Sequence, residues 1–253
     1  MKPDRITLKP LMVKKSLVII CLIFSVATMA QGNRVVHEKY TQERQVPGFH
    51  GIRVSNGINL VITAGKVEKL ILGSDEADKL DRIRTEVKDG VLRIYVENEA
   101  APWKWHRNLK GNIVAYVSYK ILNELGASGG SDITAEGELN LEALHLHLSG
   151  GGGFNGRVSV RDLSVNMSGG SSVKITGRSG NTSIEASGGG DFDGDGLAAE
   201  DCTIEASGGS DISITVNKSL SVSTSGGSDV HYKGTGKVIR SSVSGGGSVA
   251  KMN

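Results

Sequence analysis

Cysteine is nearly absent: the 253 residues contain two, Cys21 and Cys202. One mature thiol can build neither a disulfide framework nor a thiolate metal cluster. Proline is scarce (4 residues) and aromatic residues make up only 4%, so a core must come from aliphatic side chains used many times over. Beyond residue 30 no run is apolar enough to span a bilayer as a helix. No nucleophile–base–acid set stands out, and no strand–loop–helix carries a Gly-Lys-Ser/Thr phosphate loop. Neither sign of charge dominates. Residues 1–30 hold five of the 29 basic and one of the 27 acidic residues, which leaves 24 against 26 and a net charge of about −2. Nothing in that balance favours nucleic acid.

Glycine is abundant, at 35 residues, and it is periodic. Ser-Gly-Gly begins at Ser128, Ser149, Ser168, Ser187, Ser207, Ser225 and Ser244, in steps of 21, 19, 19, 20, 18 and 19 residues. Such a period marks a repeat architecture. Five, three and one residues before each Ser stand apolar or small residues: Leu144, Leu146, Leu148; Leu163, Val165, Met167; Thr182, Ile184, Ala186; Cys202, Ile204, Ala206; Leu220, Val222, Thr224; Ile239, Ser241, Val243. Mostly polar residues alternate with them, which predicts a strand with one buried face. Five residues after each Ser comes a second column, Ile133, Phe154, Val173, Phe192, Ile212, Val230 and Val249. Each period thus predicts strand, glycine corner, strand, turn. About 19 residues cannot hold a βαβ unit, which needs roughly 30. The fold class is all-β, a solenoid of stacked coils with Ser-Gly-Gly corners.

Residues 1–30 predict a secretory signal peptide: a basic start, an apolar run from Leu17 to Met29, and small residues at Ala27 and Ala30. Residues 31–45 predict a flexible polar segment. Residues 46–125 predict a β region that caps the solenoid, and 126–253 the repeat coils. Strands are expected at Phe49–Val54, Ile58–Thr63, Lys69–Leu72, Arg82–Val87, Val91–Val96 and Ile113–Tyr119, with a hairpin at Asp89-Gly90 and one helical turn from Ser74 to Lys79, capped by Ser74.

The segment FHGIRVSNGINLVITAG (Phe49 to Gly65), the later IVAYVSYKILNELGASGGSDI (Ile113 to Ile133) and the Ser-Gly-Gly series together resemble the family named "Putative auto-transporter adhesin, head GIN domain". The resemblance covers about residues 46–250. It implies a right-handed parallel β-helix of the pectin-lyase-like kind. It also implies a secreted, non-enzymatic protein with a role in cell adhesion, placed in the periplasm or at the surface of a Gram-negative-type cell. A self-anchoring trimeric auto-transporter needs a coiled-coil stalk and a membrane barrel, and neither pattern is read in these residues.

Four features are candidate sites. Asp191, Asp211 and Asp229 occupy the fourth position after their corners and would form a vertical ladder of acids, held either by turn chemistry or by a cation. Asp191-Phe-Asp193-Gly-Asp195-Gly196 matches the first half of a calcium loop, with Glu200 as a further ligand. Its twelfth position is Cys202, which cannot complete the loop. Trp103 and Trp105, with His106, Arg107 and Lys110, form an aromatic and basic stretch that could bind a glycan or protein partner or close the solenoid end. His145 and His147 share one outward face without a third metal ligand, which predicts solvated surface histidines.

No organic cofactor is implied. The favoured function is a non-enzymatic solenoid that presents a polar face to a glycan or cell-surface partner. The alternatives are a carbohydrate-active lyase or hydrolase using the acidic column, and a structural envelope protein that assembles with its own copies as a homo-oligomer.

Overall fold

The computed structural model describes residues 38–97 and 112–252. The leader lies outside them, as do Trp103, Trp105, His106, Arg107 and Lys110. Among the described residues no helix is long and apolar enough to cross a membrane.

The repeat folds as a parallel β-solenoid. Strands β9 (Asp132–Ser149), β10 (Gly153–Gly169), β11 (Ser172–Gly188), β12 (Asp191–Gly208) and β13 (Asp211–Gly226) are long runs. The last winding is split into β14 (Asp229–Lys233), β15 (Lys237–Gly245) and β16 (Ser248–Lys251). At either end of the series one long run pairs with two shorter strands, as β13 does with β14 and β15. Successive runs pair in parallel, so equivalent residues stack: Leu144, Leu163, Thr182, Cys202 and Leu220 form one column, and Ile133, Phe154, Val173, Phe192, Ile212, Val230 and Val249 another. Most of these side chains are less than 5% exposed and join one continuous core. Stacking is what buries them, since a single coil has no second layer to cover its apolar face.

The corner has a four-residue logic. In Ser-Gly-Gly-Ser the last serine turns inward: Ser131, Ser171, Ser210 and Ser228 are all buried. Three of their hydroxyls donate back to the carbonyl three residues earlier: Ser171 to Ser168 (2.6 Å), Ser210 to Ser207 (3.4 Å) and Ser228 to Ser225 (3.3 Å). Such a bond offsets the cost of burying the hydroxyl; Ser131 Oγ is buried without one.

The same corner occurs once before the triplets begin. Val54 pairs with Ala127, so Ser55-Asn56-Gly57 lies on the column of Ser128-Gly129-Gly130. Asn56 and Gly57 have φ of 65° and 74°, against 60° and 75° at the two glycines. Asparagine is one of the few side chains that accept this left-handed backbone.

Spatial order departs from chain order at this end. Strand β2 (Gly51–Val54) lies between β6 (Val91–Val96) and β8 (Glu124–Ser128). Strand β3 (Ile58–Ala64) lies between β7 (Ile113–Tyr119) and β9. The coil made first in sequence is therefore clasped between two made later. Antiparallel strands close the stack: β4 (Lys69–Ser74) on β7, β1 (Tyr40–Arg44) on β4, and β5 (Ile83–Lys88) on β6. The β5–β6 turn is the expected Asp89-Gly90, with φ of 54° and 75°.

Three local expectations need correction. Tyr40–Arg44 is a strand rather than loose chain. Arg44 fastens it by donating to the carbonyls of Ile83 (2.7 Å) and Leu80 (2.9 Å) and to Thr85 Oγ1 (3.1 Å). Helix α1 spans Ala77–Arg82 with Glu76 at its N-cap, because Ser74 belongs to β4, where its hydroxyl accepts the Glu76 N–H and donates to Asp75 Oδ1, both at 3.3 Å. Ile239 is not in the core column. A register shift sets Val238 opposite Leu220 and Arg240 opposite Ser221, and Ile239 is left 70% exposed. All of β15 is exposed, since no further described coil covers it.

Cys202 is core, 4% exposed, and burial pushes its thiol from an ordinary 9.0 up to about 12. A raised acid pKa stabilises the protonated fold. This contribution is complete below about pH 9 and fades as pH climbs toward 12. Iodoacetamide at pH 8 is expected to leave native Cys202 unlabelled and to label it in urea. Rapid labelling of native protein would place the side chain outside the core.

Candidate functional site

Beside the corners, the outer face of one sheet carries a single column of aligned residues: Arg93, Arg53, Gly126, His147, Asn166, Glu185, Glu205 and Ser223. Each stands two residues before its corner serine, or pairs with one that does. The alternation that buries Leu146, Leu148, Val165 and Met167 forces these neighbours outward. The corner serines Ser128, Ser149, Ser168, Ser187, Ser207 and Ser225 run alongside.

Between these columns lies a groove. One stretch, of about 600 Å3, is lined by His147, Asn166, Glu185, Glu205, Ser223 and the corner serines, with Leu148, Met167, Ala186 and Ala206 at its floor. A second, of about 760 Å3, is lined by Arg53, Arg93, Glu86, Tyr95, Ser55 and Ser128, among others. His147 and Ser149 belong to both, so the two are continuous. Eight stacked residues at about 4.8 Å per step make a path of roughly 34 Å along the solenoid.

The groove is electrically uneven. Its upper half holds two arginines, with Glu86 on the wall. Arg53 Nε donates to Glu124 at 2.6 Å. Its lower half holds Glu185 and Glu205, which are paired across adjacent coils. Hydroxyls, an amide and an imidazole lie between, a lining suited to hydrogen bonding with a ligand rich in polar groups.

The structure distributes the sequence candidates differently. Asp191, Asp211 and Asp229 do stack in register, and Ser248 Oγ donates to Asp229 Oδ1 at 2.6 Å. This ladder does not line the groove. Asp191, Asp193 and Asp195 stand at alternate positions of β12, where the register shifts after Asp193 and the Asp195 N–H donates to Asp193 Oδ1 at 3.4 Å. Asp193 faces Lys174 at 3.5 Å and Asp195 faces Lys233 at 3.3 Å. Glu200 is exposed. No group of three or more acidic, His or Cys side chains converges among the described residues. Both glycines of the stretch have packing roles: a Cβ at Gly196, the motif's turn glycine, would stand 2.8 Å from Thr176 Cγ2 of the coil before, and a Cβ at Gly194 would collide with the Phe192 ring. Gly156 stands under Phe154 in the same way, with its Cβ 2.9 Å from ring Cζ. Calcium and EDTA are accordingly expected to leave Tm unchanged within about 1 °C by calorimetry. A calcium-dependent rise of several degrees would restore the ion site.

Sequence reasoning left Arg53, Arg93, Asn166, Glu185 and Glu205 unassigned, and read His147 as mere surface. The signal was present at the position two before each serine, but Arg53 joins that series only when Ser-Asn-Gly is counted as a corner.

Comparison with known proteins agrees with this architecture. A putative adhesin from Bacteroides fragilis NCTC 9343 is 21% identical, with 84% of this chain and 96% of that one covered at a TM-score of 0.75. A putative lipid binding protein from Parabacteroides distasonis ATCC 8503 is 19% identical (85% and 96% covered, TM-score 0.65). A putative adhesin from Parabacteroides merdae ATCC 43184 is 17% identical (85% and 96% covered, TM-score 0.62). At these identities the likeness is one of fold. No curated protein matches the sequence. The model of one family matches residues 48–236, a span that takes in the clasped N-terminal coil, the groove and the coils as far as β14. The chain belongs to that family, "Putative auto-transporter adhesin, head GIN domain".

Proposed function

We propose that this protein is a secreted, non-enzymatic binding module of adhesin type that holds an extended, hydroxyl-rich ligand, such as a glycan chain, along the corner groove. The observation that carries this reading is the continuity of the groove: one file of polar side chains and one of serine hydroxyls follow the solenoid axis for some seven coil steps. A linear polymer meets such a surface with many weak, repeated hydrogen bonds. No single step needs to be strong, because the strand ladder has already fixed the geometry. Family membership supports an adhesin-like role at the cell surface or outside the cell, and the basic-apolar start of the chain supports export.

The test is binding of the purified protein to an array of immobilised oligosaccharides, with released reducing ends assayed in parallel. Saturable binding without release fits the reading. Release of chain ends from any bound saccharide would replace it with the carbohydrate-active alternative. Absence of binding to every saccharide would remove it.

Self-association is a second reading, favoured by one observation. The last described winding exposes Val238 (40%), Ile239 (70%) and Val243 (46%) on strands with a free edge, an arrangement that other solenoid ends cover. Sedimentation that depends on protein concentration would support it, and a monomer at all concentrations would remove it.

A further inference from the structure

We propose that Arg53 and Arg93 form an acid-recognition subsite at one end of the groove, and that the saccharide chain it takes carries an isolated carboxylate instead of an acid at every residue. This rests on the groove reading above and specifies its ligand.

Three observations carry the proposal. First, Arg53 and Arg93 are direct partners in adjacent parallel strands, on the same outward face. Like charges so placed repel; the acids near them lie on their other sides, Glu86 opposite Arg93 in β5 and Glu124 bonded to Arg53. Second, part of their hydrogen-bonding capacity is unused. Arg93 Nε is buried and has no partner. Arg53 bonds Glu124 through Nε alone among the described residues, which leaves its terminal N–H groups available. A buried guanidinium donor without an acceptor is costly, and an incoming oxyanion supplies the acceptor in the planar two-point geometry that guanidinium favours. Third, there is room. The next residue in the column is Gly126, where a Cβ would stand 3.0 Å from Arg53 Cγ. The Arg53 stem thus takes the place a side chain at 126 would fill, and the room for a ligand is the stretch of about 760 Å3 that Ser55, Ser128 and Tyr95 help to line.

The rest of the groove sets the spacing of charge. Glu86 at the wall limits the subsite to one acid group, and Glu185 and Glu205 further down would repel a second and third. A polymer charged at every residue therefore meets attraction at one end and repulsion along the remainder. A chain with one acidic residue, terminal or sparsely placed, meets only the attraction.

The experiment compares four immobilised probes: a neutral oligosaccharide, the same oligosaccharide with one terminal glucuronic acid, a polyuronate, and anionic phospholipid vesicles. Wild-type protein is expected to bind the singly acidic chain about tenfold more tightly than the neutral one, and the polyuronate less tightly than the singly acidic chain. Arg93→Gln and Arg53→Gln should each bring binding of the singly acidic chain down to that of the neutral one in the same variant, and the thermal melt should persist. Glu205→Gln should strengthen polyuronate binding. Neutral binding with no acid preference, or a preference that survives in the double arginine variant, would overturn the subsite and leave the groove reading intact. Loss of all neutral binding, with free glucuronate still shifting the His147 ring resonances in wild type but not in Arg93→Gln, would keep the subsite and overturn the groove. Vesicle binding that depends on Arg93 and outcompetes the saccharide would reassign the pair to a lipid headgroup and overturn the proposal.

Discussion

Gly208→Ala is expected to lower unfolding stability by about 2–4 kcal/mol, whereas Gly209→Ala, one residue along the same corner, is expected to stay within about 0.5 kcal/mol of wild type. The contrast follows from stacking. Gly208 has φ of +89°, and a Cβ there would stand 2.6 Å from the Gly188 carbonyl oxygen and 3.0 Å from the Gly188 nitrogen in the coil before it. That oxygen also accepts the Gly209 N–H at 2.7 Å, so the methyl group would strike a hydrogen bond between coils as well as force a left-handed backbone. Neither neighbour is a flexible side chain that can swing away. Gly209 has nothing within 4 Å of its would-be Cβ. Urea unfolding of the two variants measures the difference, and hydrogen exchange at the corner amides locates it. Equal stabilities would mean that the corners do not stack as closely as described.

The second large effect concerns how the core adjusts its volume. Phe192 is fully buried, and Phe192→Ala is expected to cost about 3–5 kcal/mol. More telling is its coupling to Gly194. In coils where the column carries Val173 or Ile212, the residue two along is Ile175 or Ile214; where it carries Phe154 or Phe192, the residue two along is Gly156 or Gly194. The ring and the second aliphatic side chain fill the same space in alternation. Gly194→Ile alone should overpack this space and cost about 1–3 kcal/mol or more, and Phe192→Ile alone should leave a void of comparable cost. The double variant recreates the pair in the next coil, and stability is expected to return to within about 1 kcal/mol of wild type. Additive losses in the double variant would show that ring and glycine do not exchange volume.

This volume exchange also explains where the sequence was easy to interpret and where it misled. The period of Ser-Gly-Gly and the alternation before it were sufficient for the solenoid, because register between coils is set by those same positions. The Asp-Phe-Asp-Gly-Asp-Gly stretch was misleading for a physical reason. Gly194 there makes room for an aromatic ring and Gly196 for Thr176 of the coil before, yet in a string of residues they look the same as the glycines of a metal loop. Ile239 misled through a register shift of one residue, which moves a side chain from core to solvent and leaves no mark in local composition. The order of coils at the N-terminal end was not legible either. That β2 and β3 lie between later strands depends on contacts some 40 to 75 residues distant in sequence, and alternation within a strand says nothing about its neighbours. The groove was half legible. His147, Asn166, Glu185 and Glu205 sit at a fixed offset from their serines, but Arg53 and Arg93 join the series through pairing alone.

The central claim, that ligand lies along the corner groove, is tested most directly by filling the groove one coil at a time. Tryptophan at Asn166, Glu185, Glu205 or Ser223 projects from an outward position and should leave the melt unchanged. Saccharide-array binding by these four variants is the measurement. The account predicts at least a tenfold loss for each, because an extended chain must pass every coil. Undiminished binding in all four, with wild type binding the same saccharide, would contradict it.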